Sequence, residues 1–267
     1  MSVATLLDKT AAIARRDLLT AVRYRTGFVL GAAGAITELA AFYYLSRAVG
    51  PGFRPDGQDY FSFLLIGTGF YTFLLMGVHA FLQTVQEAQQ TGTLEVLMTT
   101  STSPPVLVFL SAISAFTANT FTLGFYLAAG LAVFEAPFQA NVGASIAVFL
   151  LSVVIAGALG LLAAALQIAI QKGSAVVWAL GSVWFLTGTM FPVAVLPKPL
   201  RYVSEIVPMT HCLDGMRLAL LEGAPFPALV KKLAILGLFG AVLVPVGLVF
   251  FSWTLRRARL QGTLSFY

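Results

Sequence analysis

Along this chain, long unbroken apolar runs alternate with short polar breaks, and no stretch shows the strict apolar and polar alternation of a barrel wall. The runs fall near 26–49, 59–82, 105–134, 142–170, 173–195 and 231–255, and several exceed the ~18 residues that mark a membrane-spanning segment. Lipid offers no partner to a backbone N–H or C=O, so a continuous apolar run must close its hydrogen bonds internally, as a helix does. The pattern predicts an all-α, polytopic membrane protein with six transmembrane helices. The third and fourth runs are long enough to tilt or to extend past the bilayer.

The flanks change the picture at both ends. Over residues 1–25, Val3, Leu6, Leu7, Ala14, Leu18, Ala21 and Val22 cluster on one side of a helical wheel. Asp8, Lys9, Arg15, Arg16 and Arg23 lie opposite, which predicts an N-terminal amphipathic helix on the membrane surface rather than a cleavable signal. The transmembrane domain is expected over 26–255, and 256–267 as a tail. Lys9, Arg15, Arg16, Arg23 and Arg25 before the first span, and Arg256, Arg257 and Arg259 after the last, place both termini in the cytoplasm under the positive-inside rule. The expected location is therefore the inner (plasma) membrane, multi-pass. Lys198, Arg201, Arg217, Lys231 and Lys232 stand against this orientation, because it puts them outside.

Composition agrees: 58% of residues are hydrophobic, 10% are charged, and the mean hydropathy is +0.89. The net charge of +5 sits at span ends, which points to membrane lipid as its partner and not to nucleic acid. Cys212 is the sole cysteine, so neither an intrachain disulfide nor a cysteine-based metal site can form. No metal site is expected.

Two polar breaks carry more information than the rest. The loop over 83–104 contains the Thr-rich segment EAQQTGTLEVLMTTSTSP, from Glu87 to Pro104, which is too short and too soluble to span. The loop over 196–230 follows Phe191 and Pro192, and Pro197, Pro199 and Pro208 interrupt it. Leu196, Leu200, Val203, Ile206 and Val207 keep it amphipathic, so a pair of short re-entrant or interfacial helices is expected there. Asp214 and Arg217, three residues apart, would share a helical face and pair with each other.

Inside the spans, Glu38 lies near the middle of the first, where an unpaired carboxylate costs roughly 2.5–3.5 kcal/mol on insertion scales. Asn119 lies near the middle of the third, at the same depth, and an amide donating to Glu38 is the expected pairing. Either a structural clamp or a pathway-lining role would fit Glu38, and Phe70, Tyr71 and Phe73 are candidates to line a route for aromatic or lipid-like cargo. No zinc-hydrolase, nucleophile-elbow or phosphate-loop motif occurs, and His79 and His211 fall at opposite ends of the predicted bundle. The chain is therefore not expected to be an enzyme. Any ATP would be bound by another chain.

Glu87, Gly92, Thr93, Leu94, Glu95, Leu97 and Pro104 resemble the E-x-G-T-L-E-x-L-x-x-x-P signature of type-2 ABC transporter permeases, which follows their second span. Gly188, Phe191, Pro192, Leu196, Pro197, Leu200, Pro208, Met209, Thr210, Asp214, Arg217 and Gly223 resemble that family's pattern before its last span. The resemblance implies a dimer of two permease copies, each engaged by a separate ATP-binding subunit, with ATP and Mg held on that partner and no cofactor on this chain. It makes the first loop a coupling helix, with Leu94 and Leu97 as apolar knobs and Glu87 and Glu95 facing basic residues of the ATPase. The second loop would cap the pathway on the outer face. The cargo it suggests is a hydrophobic compound, lipid or lipid-linked glycan moved outward. A polysaccharide exporter of the same family, or an uncoupled six-span carrier or channel, are the alternatives. The family's usual basic residue near the first Glu is replaced here by Gln86, Gln89 and Gln90, so a charge pair internal to that loop is not expected.

Overall fold

A computed structural model describes residues 25–92, 104–170 and 181–261. Every regular element among them is helical. Helix α1 (Arg25–Val49) ends at Gly50, whose φ of +88° lets its N–H reach the Ser46 carbonyl at 3.1 Å. Asp59 then starts α2 (Tyr60–Gln90), its carboxylate accepting the Ser62 N–H at 3.0 Å. Helix α3 covers Pro104–Phe134 and α4 covers Val142–Ile170. Asn141 caps α4 by accepting the Ala144 N–H at 3.2 Å while its own amide donates to the Ala224 carbonyl at 3.2 Å. Two short helices, α5 (Lys198–Ile206) and α6 (Pro208–Leu220), precede the long α7 (Phe226–Gln261).

Five described helices are long and apolar enough to cross a membrane: Val29–Val49, Tyr60–Gln90, Phe116–Phe134, Val142–Ile170 and Phe226–Gln261. They correspond to the first four and the last of the six apolar runs. The remaining run, 173–195, lies partly outside the described residues. Its described part forms a 3-10 turn at Val183–Thr187, closed by Gly188 at φ +74°. The N-terminal segment before Arg25 lies outside the described residues too.

Helix α2 overshoots its predicted end at Leu82 by two turns. Gln83 to Gln90 holds no Gly or Pro and is rich in Gln, Glu and Ala, so nothing stops the helix until Gly92 takes a φ of +68°. At 1.5 Å per residue its 31 residues measure about 46 Å, well beyond a ~30 Å hydrocarbon core.

Close contacts give the helix directions. Gly130 meets Leu65, Gly69 meets Tyr126 and Gly77 meets Phe116, so α3 runs antiparallel to α2. Phe149 lies 6.3 Å from Phe70, and Gly160, the same distance further along both chains, receives Phe81, so α4 runs parallel to α2. Gly143 faces Phe226, Gly240 faces Val154 and Gly247 faces Ala158, so α7 is parallel to α4. The resulting core places α2 at the centre, with Phe70, Phe73, Phe81, Phe116 and Ile155 buried in one cluster. Phe70, Tyr71 and Phe73 are 2%, 5% and 3% exposed, so all three pack in this core. Helices α1 and α7 lie outermost and turn Val29, Leu30, Ile36, Leu238, Val242 and Val249 outward.

Candidate functional site

The tightest construction in the molecule joins α2 to the short helices at the end of the bundle where α2 begins. Arg217, on α6, is 3% exposed. Its guanidinium donates to the Phe63 carbonyl at 3.1 Å and the Thr189 carbonyl at 3.0 Å, and lies 3.4 Å from the centroid of the Phe63 ring. A buried cation needs such compensation, because its desolvation is worth several kcal/mol. Burial pushes the guanidinium down to about 10, opposed by the charges of Asp214 and Asp56, so it stays protonated at neutral pH. Gly67, one turn beyond Phe63, makes the approach possible: a Cβ there would lie 2.1 Å from the Thr189 oxygen and 2.3 Å from an Arg217 nitrogen.

Hydroxyls knit the rest. The Thr187 and Thr189 hydroxyls lie 2.7 Å apart and 2.7 and 3.2 Å from the Trp184 carbonyl, so one donates to the carbonyl and the other to its neighbour. Ser204 on α5 donates to the Leu186 carbonyl. On α6, Cys212 is fully buried, and burial pushes its thiol up to about 12, so it remains neutral and poorly nucleophilic. The node is a mechanical joint: it holds the 183–189 segment, α5 and α6 against the start of α2.

The expected Asp214–Arg217 pair does not form. Asp214 accepts instead from Lys232 on α7 at 3.1 Å, and Arg217 turns inward to backbone carbonyls, because a guanidinium buried against α2 finds two acceptors there while the carboxylate stays part-exposed beside α7. Phe191 and Pro192 sit on the turn after this joint, and Pro208 starts α6. Gln58 donates to Glu222 at 2.7 Å, tying the α1–α2 link to the α6–α7 turn. Gly223, at φ +61°, passes within 2.3 Å (measured from a Cβ built on it) of the Gln139 oxygen.

The intramembrane pair fares differently. Glu38 is exposed on α1 and no hydrogen bond joins it to Asn119, which is half-buried on α3. Leu39, the next residue along α1, packs in one buried cluster with Tyr126, two turns along α3 from Asn119. A shared depth suggested the pairing, and the packing of Leu39 and Phe42 with Tyr126 and Ala129 puts Glu38 about two turns off the Asn119 level.

At the opposite end, the residues singled out for coupling divide. Thr93, Leu94, Glu95 and Leu97 lie outside the described residues. Glu87 is exposed near the end of α2, its carbonyl accepting the Thr91 N–H at 2.9 Å, and Gly92 closes the helix. Just inside this end lies a layer that sequence reading missed. Gln89 and Gln167 are 1% exposed and Thr254 is 3% exposed. Gln89 Oε1, both polar atoms of the Gln167 amide and Thr254 Oγ1 are buried with no hydrogen-bond partner among the described residues. The register places the three at one level, since each lies about two turns beyond Phe81, Gly160 and Gly247, which mark the α2, α4 and α7 contacts. Gln167 in the apolar run LAAALQIAI was the available signal.

An apolar crevice of about 320 Å³ opens between α2, α3, α4 and α6, walled by Ile66, Phe70, Leu123, Phe149 and Met216. No curated protein matches the chain. The family model described as ABC-2 family transporter protein matches residues 43–249.

Proposed function

The chain belongs to the ABC-2 transporter family and is an ABC permease subunit, and from that premise we propose that it drives export in partnership with a separate ATP-binding subunit. The observation that carries this reading is the end of α2. The helix runs on past its apolar stretch to Gln90, exposes Glu87, and stops at Gly92, one residue before the Thr93–Leu97 motif. In this reading Leu94 and Leu97 enter an apolar groove of the ATPase, and Glu87 and Glu95 meet its basic rim. ATP and Mg are held on that partner, two copies of the permease form a homodimer, and this chain performs no covalent chemistry.

In this reading the run 173–195 supplies a sixth crossing, which puts both termini in the cytoplasm. Helices α4 and α7 run parallel, and Ile170 is level with the Thr91 end of α2, whereas Thr189 packs against Gly67 near the other end. Ile170 and Thr189 thus stand at opposite ends of the bundle, which supports the sixth crossing. The basic residues that stood against this orientation are also weakened as a topology signal: Arg217 is buried, Lys232 pairs with Asp214, and Arg201 lies 3.5 Å from Glu205. The apolar crevice beside Phe70 and Phe149 favours a hydrophobic compound, lipid or lipid-linked glycan as cargo over a free polysaccharide.

The test is co-purification of the chain with its ATPase in lipid, wild type against a Leu94→Asp, Glu95→Arg double variant, with ATP hydrolysis followed. The wild type should capture the ATPase and the variant release it while remaining a membrane dimer. Capture of the ATPase by both forms alike would remove the coupling role, and capture by neither would leave an uncoupled carrier.

A further inference from the structure

A second cavity, of about 540 Å³, lies at the Asp59 end of the bundle and takes no part in the joint around Arg217. Its size is within the range of ligand sites, roughly 300–1,000 Å³. It is bounded by the end of α1, the start of α2 and the end of α3. Those are the ends of apolar spans, so the cavity sits at the depth of lipid headgroups.

Aromatic rings form two of its walls. Tyr43, Phe61 and Phe134 meet with centroids 5.4 to 5.6 Å apart, and Phe53 meets Tyr60 at 4.8 Å. Between the walls stand Arg47, Arg54, Asp59 and Glu135. Asp59 is committed to capping α2. Arg47 spends one donor on the Tyr43 hydroxyl at 2.7 Å and lies 5.1 Å from that ring, which orients the guanidinium and leaves its other donors for a ligand. Arg54 and Glu135 form no ion pair or side-chain hydrogen bond with the described residues. Glu135 holds a φ of +53° after α3, where the Ala136 N–H reaches back to the Gly130 carbonyl at 3.2 Å. Glycine is the unstrained residue at such a position, so a carboxylate is kept here against the backbone's preference, as happens at ligand sites.

We propose that this cavity binds the headgroup of a zwitterionic phospholipid. The phosphodiester is taken by the Arg47 and Arg54 guanidiniums, which match its oxygens as forks. The ammonium lies against the aromatic wall and the Glu135 carboxylate, the arrangement that aromatic cages use for such cations. Two cations and one uncommitted carboxylate fit a ligand with both charges better than a purely anionic lipid, which would face Glu135 unpaired. The proposal needs the membrane-spanning fold and does not depend on the direction of transport or on an ATPase.

The experiment is native mass spectrometry of the delipidated full chain titrated with dioleoyl phosphatidylethanolamine, dioleoyl phosphatidylglycerol or O-phosphorylethanolamine. Wild type, Arg54→Ala and Glu135→Gly are compared, with thermal unfolding of each. Phosphatidylethanolamine should bind the wild type about tenfold more tightly than phosphatidylglycerol, and Arg54→Ala should weaken it by a similar factor. Glu135→Gly should abolish the preference between the two lipids while melting no lower than wild type, because it relieves the positive φ. Equal binding of both lipids to the wild type, or wild-type binding by both variants, would reduce the cavity to an annular lipid contact. Binding of O-phosphorylethanolamine as tightly as the lipid would assign the site to a soluble ligand and overturn the proposal.

Discussion

Where α2 begins, a buried arginine donates to two carbonyls, covers a phenyl ring and depends on a glycine beneath it. Where α2 ends, three buried polar side chains, Gln89, Gln167 and Thr254, share one level, with four atoms that bond to no described residue. The first arrangement has one low-energy geometry, since moving α6 by an ångström exposes a charge to apolar surroundings. The second leaves hydrogen-bonding capacity unused, each unmet group costing about 1–3 kcal/mol, so a small shift of α4 against α2 or α7 that found partners would be favourable. Both ends hold a buried polar atom that meets no described partner, Arg217 Nε at the joint included, but the guanidinium makes two hydrogen bonds and a ring contact there, and α2 is more continuously buried from Phe61 to Gly67 than from Gln83 to Gln90. The joint is thus the better-satisfied end, and the end where α2 stops at Gly92 is the one with polar groups to spare.

The sharpest way to break this contrast is to crowd the joint. Gly67→Ala puts a methyl onto the Thr189 backbone, which has no flexible end to yield, and should destabilise the protein by about 3 kcal/mol or more. Thermal unfolding of the purified chain in lipid reads it, and a melting temperature equal to wild type would mean that the joint does not exist as described. Arg217→Lys belongs to the same test, as an ammonium cannot serve both carbonyls and the ring.

A smaller effect of opposite sign is expected from the other end. Gln167→Leu replaces an unpartnered amide by an apolar side chain of similar size and should raise stability by about 1 kcal/mol. The transported flux should fall if the layer rearranges during the cycle. A lowered melting temperature would show that the Gln167 amide is bonded in the working protein, which would erase the difference between the two ends.

Smallest of all should be the surface pair beside the joint. Asp214 and Lys232 are about one-third exposed, and a double-mutant cycle with Asp214→Asn and Lys232→Met should find a coupling below about 1 kcal/mol. A larger value would move the anchoring of α6 from Arg217 to this pair.

Much of the architecture is legible in the apolar runs because a membrane helix has to be long, apolar and self-bonded. The ends of α1, α3 and α4 fall within a residue or two of those runs. The end of α2 was misplaced because apolarity stops at Leu82 while helix propensity continues to Gln90. The Glu38–Asn119 pairing failed because span midpoints in the sequence give only an approximate common depth, and packing sets α1 with Leu39 beside Tyr126, two turns from Asn119.

By itself the sequence determined the helical class, the membrane setting, the two motifs that resemble the family and the positions of the breaks, all of which are local properties of composition and backbone preference. Only the tertiary structure decided that Arg217 turns to Phe63 and Thr189 instead of Asp214, that Gly67 is a contact and not a spacer, and that Gln89, Gln167 and Thr254 share one level. Those facts depend on residues far apart in the chain, and the direction in which a side chain finds its partner is set by how the helices pack.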